Sequence, residues 1–220
     1  MPKGVTKRRP VTVAALLDAA LELFTEQGFG ASSIPEICAR AGLTKGAFYS
    51  NFADKEALFL ALFDRQAAAR AARVRAMLAD PQALAEVVRT GSGPPGLDFE
   101  DTERRWFLIS MEFTLHAIRR PQVAALLADH ETRIRTELAA LLTAALTSMG
   151  RMPLVPVQDL AAMLVAAYEG AVVQALTSQA AGRGDTVGSG TRMILALLRG
   201  LTEAADHPAA PGSAPEERWP

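Results

Sequence analysis

Residues 41–58 read AGLTKGAFYSNFADKEAL, and they contain the beginnings of two predicted helices. Thr44 and Asp54 both have the side chains of helix N-caps. A helix that begins at Lys45 therefore has room for only about two turns before the next helix starts. It also contains Gly46, which is unfavourable inside a helix. So short a helix must be explained by the sequence around it.

The preceding residues predict two more helices. Apolar residues at helical spacing predict a first helix from about Thr12 to Gln27. The sequence SIPE at 33–36 is a capping-box pattern with proline in the first turn, and Gly42 ends the helix that it begins. Three small helices within about 45 residues, with short glycine-containing connections, are typical of a helix-turn-helix. In that motif the second helix of the pair enters the DNA major groove by its N-terminal end.

A helix-turn-helix explains the unusual composition of the short helix. Gly46 has no Cβ, so the backbone there can approach a phosphate or a base closely. Free amide groups at the helix start favour a phosphate. Thr44 can cap the helix and also touch the DNA backbone, and the Ala47 methyl can pack against a thymine methyl. Phe48 and Phe52 are expected to face inward and hold the helix on its neighbours.

Three further residues are candidate DNA contacts. The Tyr49 hydroxyl and the Asn51 amide suit a phosphate oxygen, and Lys55 begins the next helix, where it can reach the flanking strand. Two alternatives stay open: Tyr49 as a partly buried core residue, and Lys55 as a solvated charge.

The segment from about residue 12 to residue 63 resembles the DNA-binding domain of the tetracycline-repressor (TetR) family of transcriptional regulators. The resemblance lies in the first helix and in LFTEQGF, SSIPEI, AGLTKGAFY and NFADKEAL, each at the right interval. Asn51 stands where the family often has histidine. Beyond Phe63 only the layout is similar. The resemblance implies phosphate or base contacts at Ser33, Thr44, Lys45, Gly46, Ala47, Tyr49, Asn51 and Lys55.

Charge is distributed unevenly along a chain whose net charge is only −1. Residues 1–10 hold Lys3, Lys7, Arg8 and Arg9 without an acidic residue. This basic arm is either a disordered tail or a segment that places Arg8 and Arg9 in the minor groove. One cysteine, Cys38, favours a reducing compartment and lies on a buried stripe, with a redox-sensing role as the alternative. Without a secretory signal or a long apolar run, we expect a cytoplasmic protein and no membrane partner.

The rest of the chain predicts an all-α protein of about nine helices, with no strand. We expect a helix-turn-helix DNA-binding domain with its basic arm at 1–54, a helical ligand-sensing and dimerisation domain at 55–205, and a disordered tail at 206–220. The fifth helix is expected from about Pro81 to Thr90, and the ninth from about Thr191 to Ala205.

The eighth predicted helix, about Val157 to Gln179, is apolar all round, which indicates burial on every side. The simplest cover is a second subunit, and the family resemblance also implies a four-helix interface between two copies. The residues expected there are Ala166, Gly170, Ala171, Ile194, Leu197, Leu198 and Leu201. The alternative is that both helices lie in the core of one subunit. A homodimer would bind an inverted-repeat operator with half-sites about 34–36 Å apart.

The middle helices supply candidates for a small, hydrophobic effector site. Aromatic, methionine and hydroxyl side chains cluster there, although the same spacing is also typical of plain core. The candidates are Trp106, Phe107, Ser110, Met111, Phe113, Thr114, His116 and Tyr168. Glu112 and His116 lie at a spacing that a metal could use, but one such pair is a weak signal, and no metal or cofactor is predicted.

Two other functional classes compete with a DNA-binding regulator. An enzyme is one of them, but the sequence has neither a nucleophile–base set nor a glycine-rich phosphate loop that would indicate one. The better rival is a helical small-molecule-binding protein without DNA-binding activity, and Gly46, Tyr49 and Lys55 argue against it. The sequence thus predicts a ligand-responsive, homodimeric DNA-binding regulator, and the family resemblance makes repression its expected mode.

Overall fold

The computed structural model describes residues 8–80, 101–182 and 189–205, together with Gln82, Glu86 and Arg89. This part of the chain is almost entirely helical. Its elements are α1 Arg8–Ala31, α2 Ile34–Arg40, α3 Lys45–Tyr49, α4 Lys55–Ala79, α5 Asp101–Ile118, α6 Pro121–Ser148, β1 Arg151–Pro153, α7 Val157–Ala180, α8 Ser189–Gly200 and β2 Thr202–Ala204. The prediction of an all-α fold with an N-terminal helix-turn-helix is confirmed.

Helix boundaries agree closely with the sequence patterns, except at the start of the first helix and at the end of the last one. The first helix begins at Arg8 rather than near Thr12. Its regular part is interrupted at Gly28, whose φ of 84° is accessible mainly to glycine, and a further short helical turn follows. The predicted fifth helix and the predicted disordered tail lie outside the described residues, apart from Gln82, Glu86 and Arg89 in the former.

The prediction that the chain has no strand is wrong at two short segments. The last helix ends at Gly200, not near Ala205, and β2 then pairs antiparallel with β1. Arg151 fixes this pair, because its Nε donates to Thr202 Oγ1 at 2.8 Å and its guanidinium also donates to the Thr202 carbonyl. A helical pattern in the local sequence cannot reveal a partner some fifty residues away.

The larger hydrophobic core joins the first three helices to α4 and α5. Five phenylalanines are almost fully buried there: Phe24, Phe29, Phe48, Phe59 and Phe113. Phe59 of α4 stacks on Phe113 of α5, with ring centroids 3.9 Å apart. The predicted boundary at residue 54 therefore lies within a shared core, and the start of α4 packs with the helix-turn-helix.

A smaller core lies at the other end of the molecule. Leu146 of α6 packs there with Leu160 and Leu164 of α7. Partly buried side chains of α8 pack against this cluster, and along the chain β1 follows α6 and β2 follows α8. Helix α6 contributes Leu127 to the larger core and Leu146 to the smaller one, so it connects the part that contains the helix-turn-helix to the C-terminal helices.

Candidate nucleic-acid interface

Helix α2, which leads into α3, is held in place at both of its ends. At its start, the Ser33 N–H donates to Glu36 Oε2 at 2.9 Å, and the Glu36 N–H donates to Ser33 Oγ at 3.4 Å, which completes the predicted capping box. The Ser33 hydroxyl also holds the pKa of Glu36 below its usual value. At its end, Arg40 binds Glu26 of α1 through two hydrogen bonds of 2.8 and 2.7 Å.

One N-cap and two aromatic anchors hold the short helix α3. Thr44 Oγ1 accepts a hydrogen bond from the Ala47 N–H at 3.1 Å. Phe48 is fully buried, and Phe52 packs beside it with ring centroids 5.8 Å apart. Both phenylalanines therefore face inward, as the sequence predicts. Their burial leaves the opposite side of α3 for contacts outside the subunit.

The outer edge of α3 is exposed. It consists of Thr44, Lys45, Gly46, Tyr49 and Ser50. Tyr49 is 58% exposed, so the alternative of a buried tyrosine is not what the structure has. A Cβ at Gly46 would meet only Thr44 Oγ1, at an ordinary contact distance of 3.7 Å. Nothing in the described part of the subunit requires glycine there, which favours an external reason for it.

Three other predicted contacts are less free. The Ser33 hydroxyl donates to Glu36 Oε2 at 2.6 Å. The Asn51 side-chain amide donates to the Ala47 carbonyl at 2.8 Å, and its Oδ1 is buried with no hydrogen-bond partner among the described residues. The half-buried methyl of Ala47 remains a candidate for contact with a base. Any contact at Ser33 or Asn51 would share or replace these internal hydrogen bonds.

Lys55 is neither a solvated charge nor a free one. Its Nζ donates to the carbonyls of Phe29 and Ser32, both at 2.6 Å, and lies 4.3 Å from the centre of the Phe29 ring. Burial lowers the pKa of Lys55, and Glu56, Glu112 and Glu36 partly offset that effect. Two of its three donors are used within the fold, which favours a structural role at the end of α1.

The two arginines of the predicted arm belong to a helix. Arg8 and Arg9 form the first turn of α1, and Arg9 is exposed. The alternative of a disordered tail therefore does not apply to them. Lys3 and Lys7 lie outside the described residues.

The residues predicted to bind an effector do not form one site. Trp106, Phe107 and Phe113 of α5 are buried, and Trp106 and Phe113 stack on Phe59 in the larger core. The hydroxyls of Ser110 and Thr114 donate to carbonyls of their own helix at 2.8 and 2.9 Å.

The remaining effector candidates lie apart from one another. Met111 is exposed on the outside of α5. His116 Nε2 lies 3.0 Å from Glu56 Oε1. Tyr168 is on α7, where its ring lies 5.9 Å from the Arg70 guanidinium of α4. The aromatic spacing of α5 was thus mainly a core signal.

A shallow groove between the C-terminal ends of α4 and α6 is a feature that the sequence did not indicate. It is lined by Arg75, Ala79, Leu141, Ala144, Ala145 and Ser148. None of these residues is among the predicted effector contacts, because that prediction followed aromatic residues and no aromatic side chain lines the groove.

The predicted dimer residues divide into two groups. Ala171 is buried within the subunit, and four leucine and isoleucine side chains of α8 and its end pack partly buried against Leu146, Leu160 and Leu164: Ile194, Leu197, Leu198 and Leu201. Ala166 and Gly170 are exposed. They form an apolar stripe along α7 with Met163 and Val173, each of which is 44% exposed.

In the described part of the chain, α7 is the one helix long and apolar enough to cross a membrane. Its buried side chains, among them Leu160, Leu164 and Val172, pack into the fold. The helix is therefore partly a core helix, and one apolar stripe of it is exposed.

Known sequences are similar to this chain in two regions. Residues 16–62 match the family profile described as bacterial regulatory proteins, tetR family, and residues 96–200 match the C-terminal region of BetI-type transcriptional repressors. The transcriptional regulator AcrR from Shigella flexneri is 45% identical over 49 residues, which are 22% of this chain and 23% of that protein. UidR from Escherichia coli K12, also a transcriptional regulator, is 30% identical over 135 residues, 61% of this chain and 65% of that protein. The chain spans less than two thirds of either relative.

Solved structures with this architecture include SmeT, the repressor of the Stenotrophomonas maltophilia multidrug efflux pump SmeDEF. It superposes with a TM-score of 0.56 at 20% identity, over 94% of this chain and 97% of that chain. That similarity shows the fold, while the two profile matches cover the helix-turn-helix and most of the C-terminal helices. The chain therefore belongs to the TetR family of transcriptional regulators.

Proposed function

We propose that this chain is a homodimeric transcriptional regulator that binds an inverted-repeat DNA operator through α3. The observation that carries the proposal is the two-sided character of α3. Phe48 is fully buried and anchors the helix in the core, whereas Lys45, Gly46 and Tyr49 are exposed on its outer edge. Lysine and tyrosine suit phosphate oxygens, and glycine permits close approach of the backbone. Thr44, Ala47 and the first turn of α1, with Arg8 and Arg9, complete the proposed surface. Ser33 and Asn51 are retained as secondary contacts, whereas Lys55, a candidate contact in the sequence, is proposed to hold the end of α1 instead.

The second subunit would pack against the exposed stripe of α7. Ala166 and Gly170 are small enough to let two helices approach closely, and Met163 and Val173 add apolar area. Met193, exposed on α8, extends the same kind of surface. Two reading helices related by a two-fold axis would then meet half-sites about one helical turn, roughly 34–36 Å, apart.

The input would be a small-molecule effector that binds among the helices of the C-terminal region. Helix α4 begins beside the helix-turn-helix and ends beside the groove near Arg75, so it connects the two parts. An effector that prefers one position of α4 would shift the dimer between an operator-binding state and a released state. Release of a repressor by its effector is the mode that the family favours. Cytoplasmic localisation follows from a role on DNA.

Operator selection tests this function. The full chain is incubated with random duplex DNA, and bound duplexes are amplified and sequenced over several rounds. Enrichment of an inverted repeat, and loss of binding to it in Tyr49→Ala, would support the proposal. If the wild-type chain enriches no palindrome, the rival reading of a small-molecule-binding protein without DNA-binding activity is favoured. A compound screen for release of the selected operator then identifies the effector class.

A further inference from the structure

The end of α1 is bonded directly to α5, a helix outside the helix-turn-helix. Glu112 accepts a hydrogen bond from the Phe29 N–H through Oε2 at 2.9 Å, and one from the Gly30 N–H through Oε1 at 2.8 Å. Both oxygens of one carboxylate are thus used on two successive amides. Hydrogen bonds to a charged acceptor are stronger than neutral ones, and a paired arrangement also fixes direction.

Gly28 makes this bond possible. A Cβ at Gly28 would lie 2.7 Å from Glu112 Oε2, closer than real Cβ contacts, and the φ of 84° at that position also favours glycine. The backbone turn at the end of α1 is therefore shaped around the carboxylate of α5. Any side chain at position 28 would collide with the Glu112 carboxylate, so the contact depends on the glycine there.

The peptide unit between Phe29 and Gly30 is held from α4 as well. Its carbonyl, that of Phe29, accepts a hydrogen bond from Lys55, while its N–H, that of Gly30, donates to Glu112. Lys55 also donates to the Ser32 carbonyl. The Phe29 ring packs edge-on against Phe113 and His116 of α5, with centroids 5.0 and 4.9 Å apart. Phe29 is thus fixed by its N–H, its carbonyl and its ring.

We infer that Glu112 is a positioning residue for DNA binding, which sets the orientation of the helix-turn-helix relative to the C-terminal helices. The inference rests on the proposed binding of a dimer to an inverted repeat. Helices α2 and α3 follow α1 directly, and Arg40 ties α2 back to Glu26 of α1. Holding the end of α1 on α5 therefore also holds α2 and the exposed edge of α3, because these helices move as one body. It thereby sets the distance between the two α3 helices of the dimer.

The inference adds a route for the effector. A shift of α5 would act on α1 through Glu112 without passing through α4. This contact would carry coupling if its arrangement differs between the operator-binding state and the released state. Glu112→Gln replaces one acceptor oxygen by an NH₂ group, which cannot accept from the second amide. The two remaining routes, the aromatic core and Lys55, stay in place in that variant.

The test compares operators that differ only in half-site separation. Wild type, Glu112→Gln and the control Glu137→Gln, at an exposed position of α6, are titrated with the selected operator and with versions shortened or lengthened by one base pair. An isolated half-site is included. Wild type and the control are expected to prefer one separation sharply. In Glu112→Gln, affinity for that separation is expected to fall about tenfold, and the three separations should differ little, while half-site affinity is unchanged.

Two results would overturn the inference. One is an equal loss of affinity for all three operators and for the isolated half-site, which would show that the helix-turn-helix itself is damaged. The other is a wild-type separation preference in Glu112→Gln. If that variant does not fold, Glu112→Asp, which keeps the charge but shortens the reach, is judged by the same criteria. Failure of the wild-type chain to bind any operator would instead refute the proposed function, and it is seen before any variant is tested.

Discussion

Tyr49 and Phe48 meet edge to face with ring centroids 5.4 Å apart, yet Phe48 is fully buried and Tyr49 is 58% exposed. The two neighbours thus divide the work of α3. Phe48 holds the helix on the core, and the phenol of Tyr49 extends from the outer edge with its hydroxyl in reach of a partner. Substitutions at the two positions should therefore separate stability from DNA binding.

Tyr49→Phe removes one hydroxyl from the exposed edge. We expect operator affinity to fall about tenfold, the value of one hydrogen bond to a charged phosphate, at about 1.5 kcal/mol. The melting temperature should not change, because no hydrogen bond inside the described fold is lost. Phe48→Ala is the contrasting variant and should cost about 3–5 kcal/mol of the free energy of unfolding. Calorimetry and fluorescence anisotropy measure the two effects, and a stability loss in Tyr49→Phe would contradict this division.

Gly46→Ala tests whether the glycine serves the fold or the DNA. The new Cβ would meet only Thr44 Oγ1 at 3.7 Å, and alanine favours helix by about 0.5–1 kcal/mol over glycine. The variant should be as stable as wild type or slightly more so. Operator affinity should nevertheless fall at least about tenfold, because the methyl would stand between the backbone and the DNA. Unchanged affinity would show that the backbone at this position does not approach DNA closely.

The helix-turn-helix could be predicted from sequence because its signals are local. Capping residues at Ser33 and Thr44 fix where α2 and α3 begin, and Phe48 and Phe52 fix which side is buried. Each of these features depends on residues a few positions apart. The pairing of β1 with β2 could not be predicted, because it depends on Arg151 meeting Thr202 through the tertiary fold.

Whether the middle helices form a ligand site could not be predicted for a related reason. Aromatic residues at helical spacing, such as Trp106 and Phe113, indicate a buried face but not what lies against it. Here the face meets Phe59 of α4 and leaves no room for a ligand at that contact. Similarly, Lys55 looks like a DNA contact in the sequence, because the two carbonyls that it binds lie more than twenty residues earlier, at the end of α1 and in the connection to α2.

The capping box of α2 gives the helix-turn-helix a dependence on acidic pH. The Ser33 hydroxyl, and then the Ser33 backbone N–H, hold the pKa of Glu36 below its ordinary value of 4.5. The unfolded state therefore binds the proton more readily, so this contribution to stability is complete above about pH 4.5 and is lost as pH falls through the lowered pKa. Glu36→Gln should show a smaller decrease in stability than wild type over that range in urea titrations. Identical pH profiles would contradict the assignment.

Lys45 and Lys55 should differ in the salt dependence of operator binding. Lys45 is exposed at the edge of α3, so Lys45→Ala is expected to reduce the slope of log affinity against log salt by about 1. Lys55→Met should leave that slope nearly unchanged. It should instead destabilise the fold by about 1–3 kcal/mol, because the carbonyls of Phe29 and Ser32 lose their donor. A reduced slope in Lys55→Met would restore this lysine as a phosphate contact.

The exposed stripe of α7 predicts how the proposed dimer can be broken. Ala166→Arg places a long charged side chain where two helices are expected to meet closely, so sedimentation should show a monomer where wild type is a dimer. Half-site binding should persist, because the substitution does not alter α3. Affinity for the full inverted repeat should fall about a hundredfold or more, because a monomer cannot bind both half-sites at once. Ala128→Arg, at an exposed position of α6, is the matched control and should leave the dimer intact. If Ala166→Arg remains dimeric, the subunits meet through another surface and the stripe of α7 has a different cover.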